Sequence, residues 1–151
     1  MLIGGEPVTG KGTLLEVENP ATEAVVAGVG SASESQLDQA VKAANDAKAE
    51  WAAMPAVDRA PLLHGIASKL RARADELGLL MTTEIGRPLT ESTDEVEWCA
   101  ACFDYYAEVG RDARGSSIPP VAPHQVNFTI KEPYGVVAAI VPWNYPLLLL
   151  S

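Results

Sequence analysis

The pattern of apolar and polar positions divides the chain into a strand-like start, a helical middle and an extended end. Residues 2–30 hold short extended runs split by turn residues. Leu14–Glu18 alternates, Asn19-Pro20 breaks it, and Glu23–Val29 is a second run. A meander of small strands is expected there. The period then changes. Leu37, Ala40, Val41, Ala44, Lys48 and Trp51 recur at helical spacing, Ser33 and Gln36 stand at capping-box spacing before them, and Pro55 stops the run. Asp58 is the expected cap of a second helix, with Leu62, Leu63, Ile66, Ala67 and Leu70 as its inner stripe. Ala74–Met81 continues or restarts it, and Gly86 and Pro88 provide an ending. A third helix is predicted from about Thr90 to Asp112, with Val96, Cys99, Phe103, Tyr106 and Gly110 on one face.

Beyond a Pro/Ser-rich connection at 116–124, Gln125–Lys131 alternates, with Val126, Phe128 and Ile130 on one face. That predicts a half-buried strand, which needs partners to be stable. Gly135–Val141 is a continuous apolar run rich in β-branched residues and suits a strand buried on both faces. Pro142 lacks the N–H a ladder needs and ends it. Pro146 restarts the chain, and Leu147 onward reads as the first turn of a helix. Asn144 lies between the two prolines, past the carboxyl end of the expected strand, where open α/β sheets place their ligands. A side-chain amide there can donate to a developing oxyanion. It can equally bond local backbone in a turn.

Composition narrows the classes. The 151 residues, 48% of them hydrophobic, suffice for one core, and the net charge of −9 argues against a nucleic-acid surface. The first residues show neither the basic region nor the apolar core of a signal peptide, and prolines, Gly135 and Asn144 interrupt the apolar stretch 133–150. A cytoplasmic protein with no membrane or nucleic-acid partner is expected.

Trp98-Cys-Ala-Ala-Cys102 has the spacing of a thioredoxin-like site but falls inside the periodicity of a helix, with Glu95 and Glu97 upstream to disfavour a thiolate. No second pair completes a zinc site. Two reduced structural thiols are expected. His64 and His124 have no nucleophile or carboxylate at a readable spacing, Arg71 and Arg73 read as solvated, and the Gly4-Gly5 and Gly28-x-Gly30 pairs lack the context of a phosphate loop.

Glu132-Pro-Tyr-Gly-Val-Val followed by Pro142-Trp-Asn-Tyr-Pro146 resembles the segment that carries the oxyanion-hole asparagine in the aldehyde dehydrogenase superfamily. Glu18-Asn-Pro-Ala-Thr-Glu-Ala-Val-Val26 is similar to its N-terminal region. The resemblance implies an α/β fold: the N-terminal part of a Rossmann-type three-layer domain, with small N-terminal strands, a helical middle and part of an oligomerisation hairpin. Residues 1–115 and 133–151 would form a partial cofactor-binding domain and 116–132 part of the hairpin, with the catalytic domain absent.

Carried over by resemblance, Asn144 is the oxyanion donor, and Val141, Pro142 and Trp143 line the NAD or NADP site beside it. Trp98, Tyr145 and Leu149 match positions that shape the substrate tunnel. Glu84 matches a carboxylate at a structural monovalent-cation site, with a backbone carbonyl near Glu18. Gly86-Arg-Pro88 stands where Gly-Lys-Pro is frequent, a minor departure. The implied chemistry is oxidation of an aldehyde to a carboxylic acid through a cysteine thiohemiacetal and thioester, in a homodimer or homotetramer. The nucleophilic cysteine and the water-activating glutamate have no match in this sequence, which reads as an N-terminal fragment inactive by itself. The identity of the aldehyde, NAD against NADP, and hydrolysis against transfer to coenzyme A stay open. Two further readings stand beside this one: a natural short protein that associates with full-length subunits, and a free-standing small helical domain.

Overall fold

The computed structural model describes residues 1–151 and opens with two antiparallel hairpins. Strand β1 (Leu2–Ile3) pairs with β2 (Glu6–Pro7), and β3 (Leu14–Asn19) pairs with β4 (Ala24–Gly30). Asn19 and Pro20 make the turn the sequence predicts. The Asn19 side chain accepts from the N–H of Ala21 at 2.9 Å, a local Asx turn.

Helix α1 (Glu34–Ala53) starts with the expected capping box. Ser33 Oγ accepts from the Gln36 N–H at 3.3 Å, and Gln36 Oε1 accepts from the Ser33 N–H at 3.1 Å. Gln36 is buried and also ties the preceding loop down, accepting from the Lys11 N–H and donating to the Thr9 carbonyl, each at 2.8 Å. Helix α2 (Ala56–Ala72) begins two residues before the expected cap. Pro55 precedes it, and Asp58 sits inside the first turn, where its charge suits the helix dipole without capping. The chain breaks at Arg73 and restarts as α3 (Ala74–Ile85), which ends at Gly86 in the left-handed region. Helix α4 (Leu89–Val109) runs on into a 3-10 turn, Gly110–Asp112.

The core is the packing of α2, α3 and α4. Its buried residues are mostly small: Ala60 and Ala67 from α2, Gly78 and Met81 from α3, and Ser92, Glu95, Val96, Cys99, Ala100 and Ala107 from α4. Gly78 lets α3 and α4 approach closely, since a β-carbon there would stand 2.5 Å from Thr93 Oγ1. The expected stripes need correction in part. Leu62, Ile66 and Tyr106 are exposed, as are Leu37, Val41 and Trp51 along α1. These large apolar residues form helix faces that nothing in the 151 residues covers.

The end of the chain differs most from expectation. Only β6 (Asn127–Phe128) of the predicted 125–131 strand is regular, paired antiparallel with β5 (Ser117–Ile118). Val126, Phe128 and Ile130 are exposed rather than half-buried, because no second layer lies against this hairpin. Gly135–Val141 forms no strand, and Ile140 is 97% exposed. A parallel strand needs a neighbour for its N–H and C=O groups, and this chain provides none beside it. Helix α5 (Pro146–Leu150) forms where Pro146 predicts it. The result is a mixed helix-and-strand architecture. No helix is long and apolar enough to cross a membrane.

Candidate functional site

Asn144 sits in the bend between the extended run and α5, with its side chain exposed and making no hydrogen bond within the chain. The turn-bonding alternative is therefore not the one adopted. The backbone of Asn144, in contrast, is held. Arg87 Nη1 donates to the Asn144 carbonyl at 2.8 Å, and the Arg87 guanidinium lies over the Tyr145 ring, 4.7 Å from its centroid.

Arg87 is itself fixed by Glu95. The two side chains form an ion pair through Nη2 and Oε2, and the Glu95 side chain is fully buried with Arg87 only 10% exposed. The other Glu95 oxygen, Oε1, accepts from the N–H of Leu147 at 2.9 Å and of Leu148 at 3.0 Å. These are first-turn amides of α5, and Tyr145 before them supplies no side-chain cap. Glu95 thus caps a helix 52 residues further along the chain. Ser92 Oγ, also buried, accepts from Arg87 Nε at 3.4 Å and from Thr82 Oγ1 at 3.0 Å. A polar network therefore runs from α3 through α4 to the Asn144 carbonyl and the first turn of α5.

This network is absent from the sequence reading, although it left a signal. Glu95 falls on the inner face of α4, four residues before Cys99, and a carboxylate in an apolar stripe needs partners. At the Gly86-Arg-Pro88 departure, Arg87 uses all three guanidinium nitrogens and its planar face at once.

The other proposed site residues fall on both sides of this bend. Trp98 on α4 lies 6.2 Å from Tyr145, ring centroid to ring centroid, so those two positions meet; Leu149 is one helical turn beyond Tyr145 and exposed. Pro142 and Trp143 are exposed and Val141 is half-buried, leaving an apolar face next to the free amide. Glu84 is exposed in the last turn of α3, and α3 packs against β3, which carries Glu18.

Cys99 and Cys102 are both free. Burial pushes the Cys99 thiol up, and the Glu95 charge adds to it in the same direction. The histidines divide. His124 stands in the loop with a positive φ of 72°, whereas His64 meets Asp104 and Glu108 from α4. Arg71 is not merely solvated: it pairs with Glu97 and Asp104, and Arg73 pairs with Glu76. A cleft of about 530 Å³ lies elsewhere, between α1 and 133–137. It is lined by Ala44, Lys48, Trp51, Tyr134 and Val136 among others, and none of the proposed site residues reaches it.

A model of the aldehyde dehydrogenase family matches residues 8–151. Aminoaldehyde dehydrogenase 2 of Zea mays is 39% identical over 162 residues, which cover 100% of this chain and 32% of that protein. A crystal structure of an E. coli NADP-dependent enzyme superposes with a TM-score of 0.93 at 34% identity, covering 99% of this chain and 31% of the other. An NAD-dependent benzaldehyde dehydrogenase from Corynebacterium glutamicum gives a TM-score of 0.91 at 31% identity, over 98% of this chain and 33% of the other. The chain thus spans about a third of the length of the relatives it matches, in their N-terminal part.

Proposed function

This chain belongs to the aldehyde dehydrogenase family, and we propose that it contributes the oxyanion donor Asn144 to a longer subunit that oxidises an aldehyde to a carboxylic acid with NAD or NADP. The observation that carries this reading is a free side-chain amide on a backbone held at its own carbonyl and through the turn that follows. The Arg87 bond fixes the carbonyl of Asn144, and the Glu95 cap fixes the turn that follows. A donor held before the reaction starts needs no reorganisation when negative charge develops on the substrate oxygen.

Within that reading, residues 1–115 and 133–151 are part of the cofactor-binding domain, and 116–132 part of an oligomerisation hairpin. The exposed Pro142 and Trp143, with half-buried Val141 beside them, form a face next to Asn144 that fits the flat surface of a nicotinamide ring. A nicotinamide dinucleotide held there would supply the acceptor for the hydride lost from the aldehyde-derived carbon. Asn144 holds the oxygen that carries negative charge after a cysteine of the longer subunit adds to the aldehyde carbon. Trp98, Tyr145 and Leu149 border the approach of the substrate, and their bulk suits an apolar or aromatic group. Glu84, with a carbonyl near Glu18, is the proposed monovalent-cation position; α3 packing on β3 supports it.

Mixing the complete subunit with NAD or NADP and a panel of aldehydes tests this function. Aldehyde-dependent formation of reduced nicotinamide, followed by its absorbance, is expected with at least one pair. Its absence across apolar, aromatic, amino- and carboxy-aldehydes with both cofactors would overturn the reading.

A further inference from the structure

We propose that Glu95, acting through Arg87, is the positioning residue for Asn144, and that lysine cannot take the place of Arg87 in this protein. The inference rests on the reading of Asn144 as oxyanion donor. Glu95 is the fully buried carboxylate of the core and no step of the proposed reaction consumes it. Both of its oxygens are engaged, and their partners lead to the Asn144 carbonyl and to the turn that follows it. Oε2 meets Arg87, whose Nη1 donates to the Asn144 carbonyl; Oε1 takes the N–H groups three and four residues beyond Asn144. The peptide that follows the Asn144 α-carbon and the first turn of α5 are thus both tied to Glu95 of α4.

These bonds fix the peptide next to the α-carbon that carries the free amide. Arg87 suits this task by shape. Its fork reaches Glu95, the Asn144 carbonyl and Ser92 from one rigid plane, and the same plane covers the Tyr145 ring. An ammonium is a single point and cannot span these partners while stacking on the ring. Loss of either member frees the carbonyl, and the amide is then misplaced even though its chemistry is intact.

The test compares Glu95→Gln, Arg87→Lys and Asn144→Ala in the complete subunit, with the Glu95→Gln/Asn144→Ala double variant. Glu95→Gln preserves shape but turns an amide N–H toward either the guanidinium or the α5 amides, donor against donor. A fall in kcat of roughly 10- to 100-fold is expected for Glu95→Gln and for Arg87→Lys, with the KM for the nicotinamide cofactor unchanged. The double variant is expected to be no slower than Asn144→Ala alone, because a misplaced amide and a missing amide lose the same interaction. Additive losses would assign Glu95 to general stability and overturn the proposal, as would unchanged kcat in Glu95→Gln and Arg87→Lys while Asn144→Ala is impaired. Unchanged kcat in Asn144→Ala would remove the oxyanion reading itself, and the proposal with it.

Should the buried single variants fail to fold, Arg87→Met/Glu95→Leu replaces the pair by apolar side chains of similar size, which cores tolerate. Reduced kcat in that folded double variant is expected, and full activity would overturn the proposal.

Discussion

His64 Nδ1 lies 2.5 Å from Asp104 Oδ1, and its Nε2 lies 2.9 Å from Glu108 Oε1, so one imidazole on α2 bridges two carboxylates on successive turns of α4. Both ring nitrogens face acceptors, which favours the imidazolium. The His64 pKa is raised by its bond to Glu108 and then by that to Asp104; Asp104 is lowered chiefly by His64 and then by Arg71, and Glu108 chiefly by His64 with Arg111 adding to it. A raised histidine stabilises the fold fully below its unfolded value of 6.5 and stops doing so as pH rises through the raised folded value. The lowered carboxylates act in the opposite sense, losing their contribution as pH falls through their depressed values.

His64→Gln is therefore expected to lower the thermal midpoint most between the carboxylate range and pH 6.5, with the difference from the parent shrinking on the alkaline side. Thermal unfolding at a series of pH values checks this. A difference that grows toward alkaline pH would contradict the bridge. The groups are substantially exposed, so the effect is expected to be modest and to weaken with salt.

Gly86 carries two separate constraints. Its φ of 79° is left-handed, and a β-carbon placed on it would stand 2.5 Å from Pro20 Cγ. Gly86→Ala is expected to destabilise by about 1–3 kcal/mol in denaturant titration. Adding Pro20→Ala should recover the steric part and leave the backbone part. A fully neutral Gly86→Ala would contradict this geometry.

The β5–β6 hairpin presents Phe128, 66% exposed, with Val126 and Ile130 on either side. If this face joins subunits, Phe128→Asp in the complete subunit shifts size-exclusion elution to a smaller species. An unchanged assembly would sink the proposal that the hairpin joins subunits.

Local signals in the sequence carried through wherever their partners lie close along the chain. The Ser33–Gln36 capping box, the Asn19-Pro20 turn, the stop at Gly86 and the start at Pro146 are all present. The run 135–141 was misread as a formed strand because its apolar pattern describes an environment that needs neighbouring strands, and none lies beside it in these 151 residues. Inner stripes were partly misplaced for a related reason: Leu62, Ile66 and Trp51 satisfy helical spacing but face outward, while alanines make the tight contacts. His64 and Glu95 are not legible as partnered residues because, Arg87 apart, their partners stand 40 to 53 positions away on other elements. The candidate site was legible at Asn144 through its motif, whereas what holds Asn144 became visible only in three dimensions.

The central claim is that the Asn144 amide stabilises negative charge on the reacting oxygen. Steady-state kinetics of Asn144→Ala in the complete subunit test it most directly. The account predicts a kcat lowered by roughly 10²- to 10³-fold with the KM for the aldehyde changed much less, the signature of an interaction made mainly in the transition state. Turnover within about twofold of the parent would contradict it.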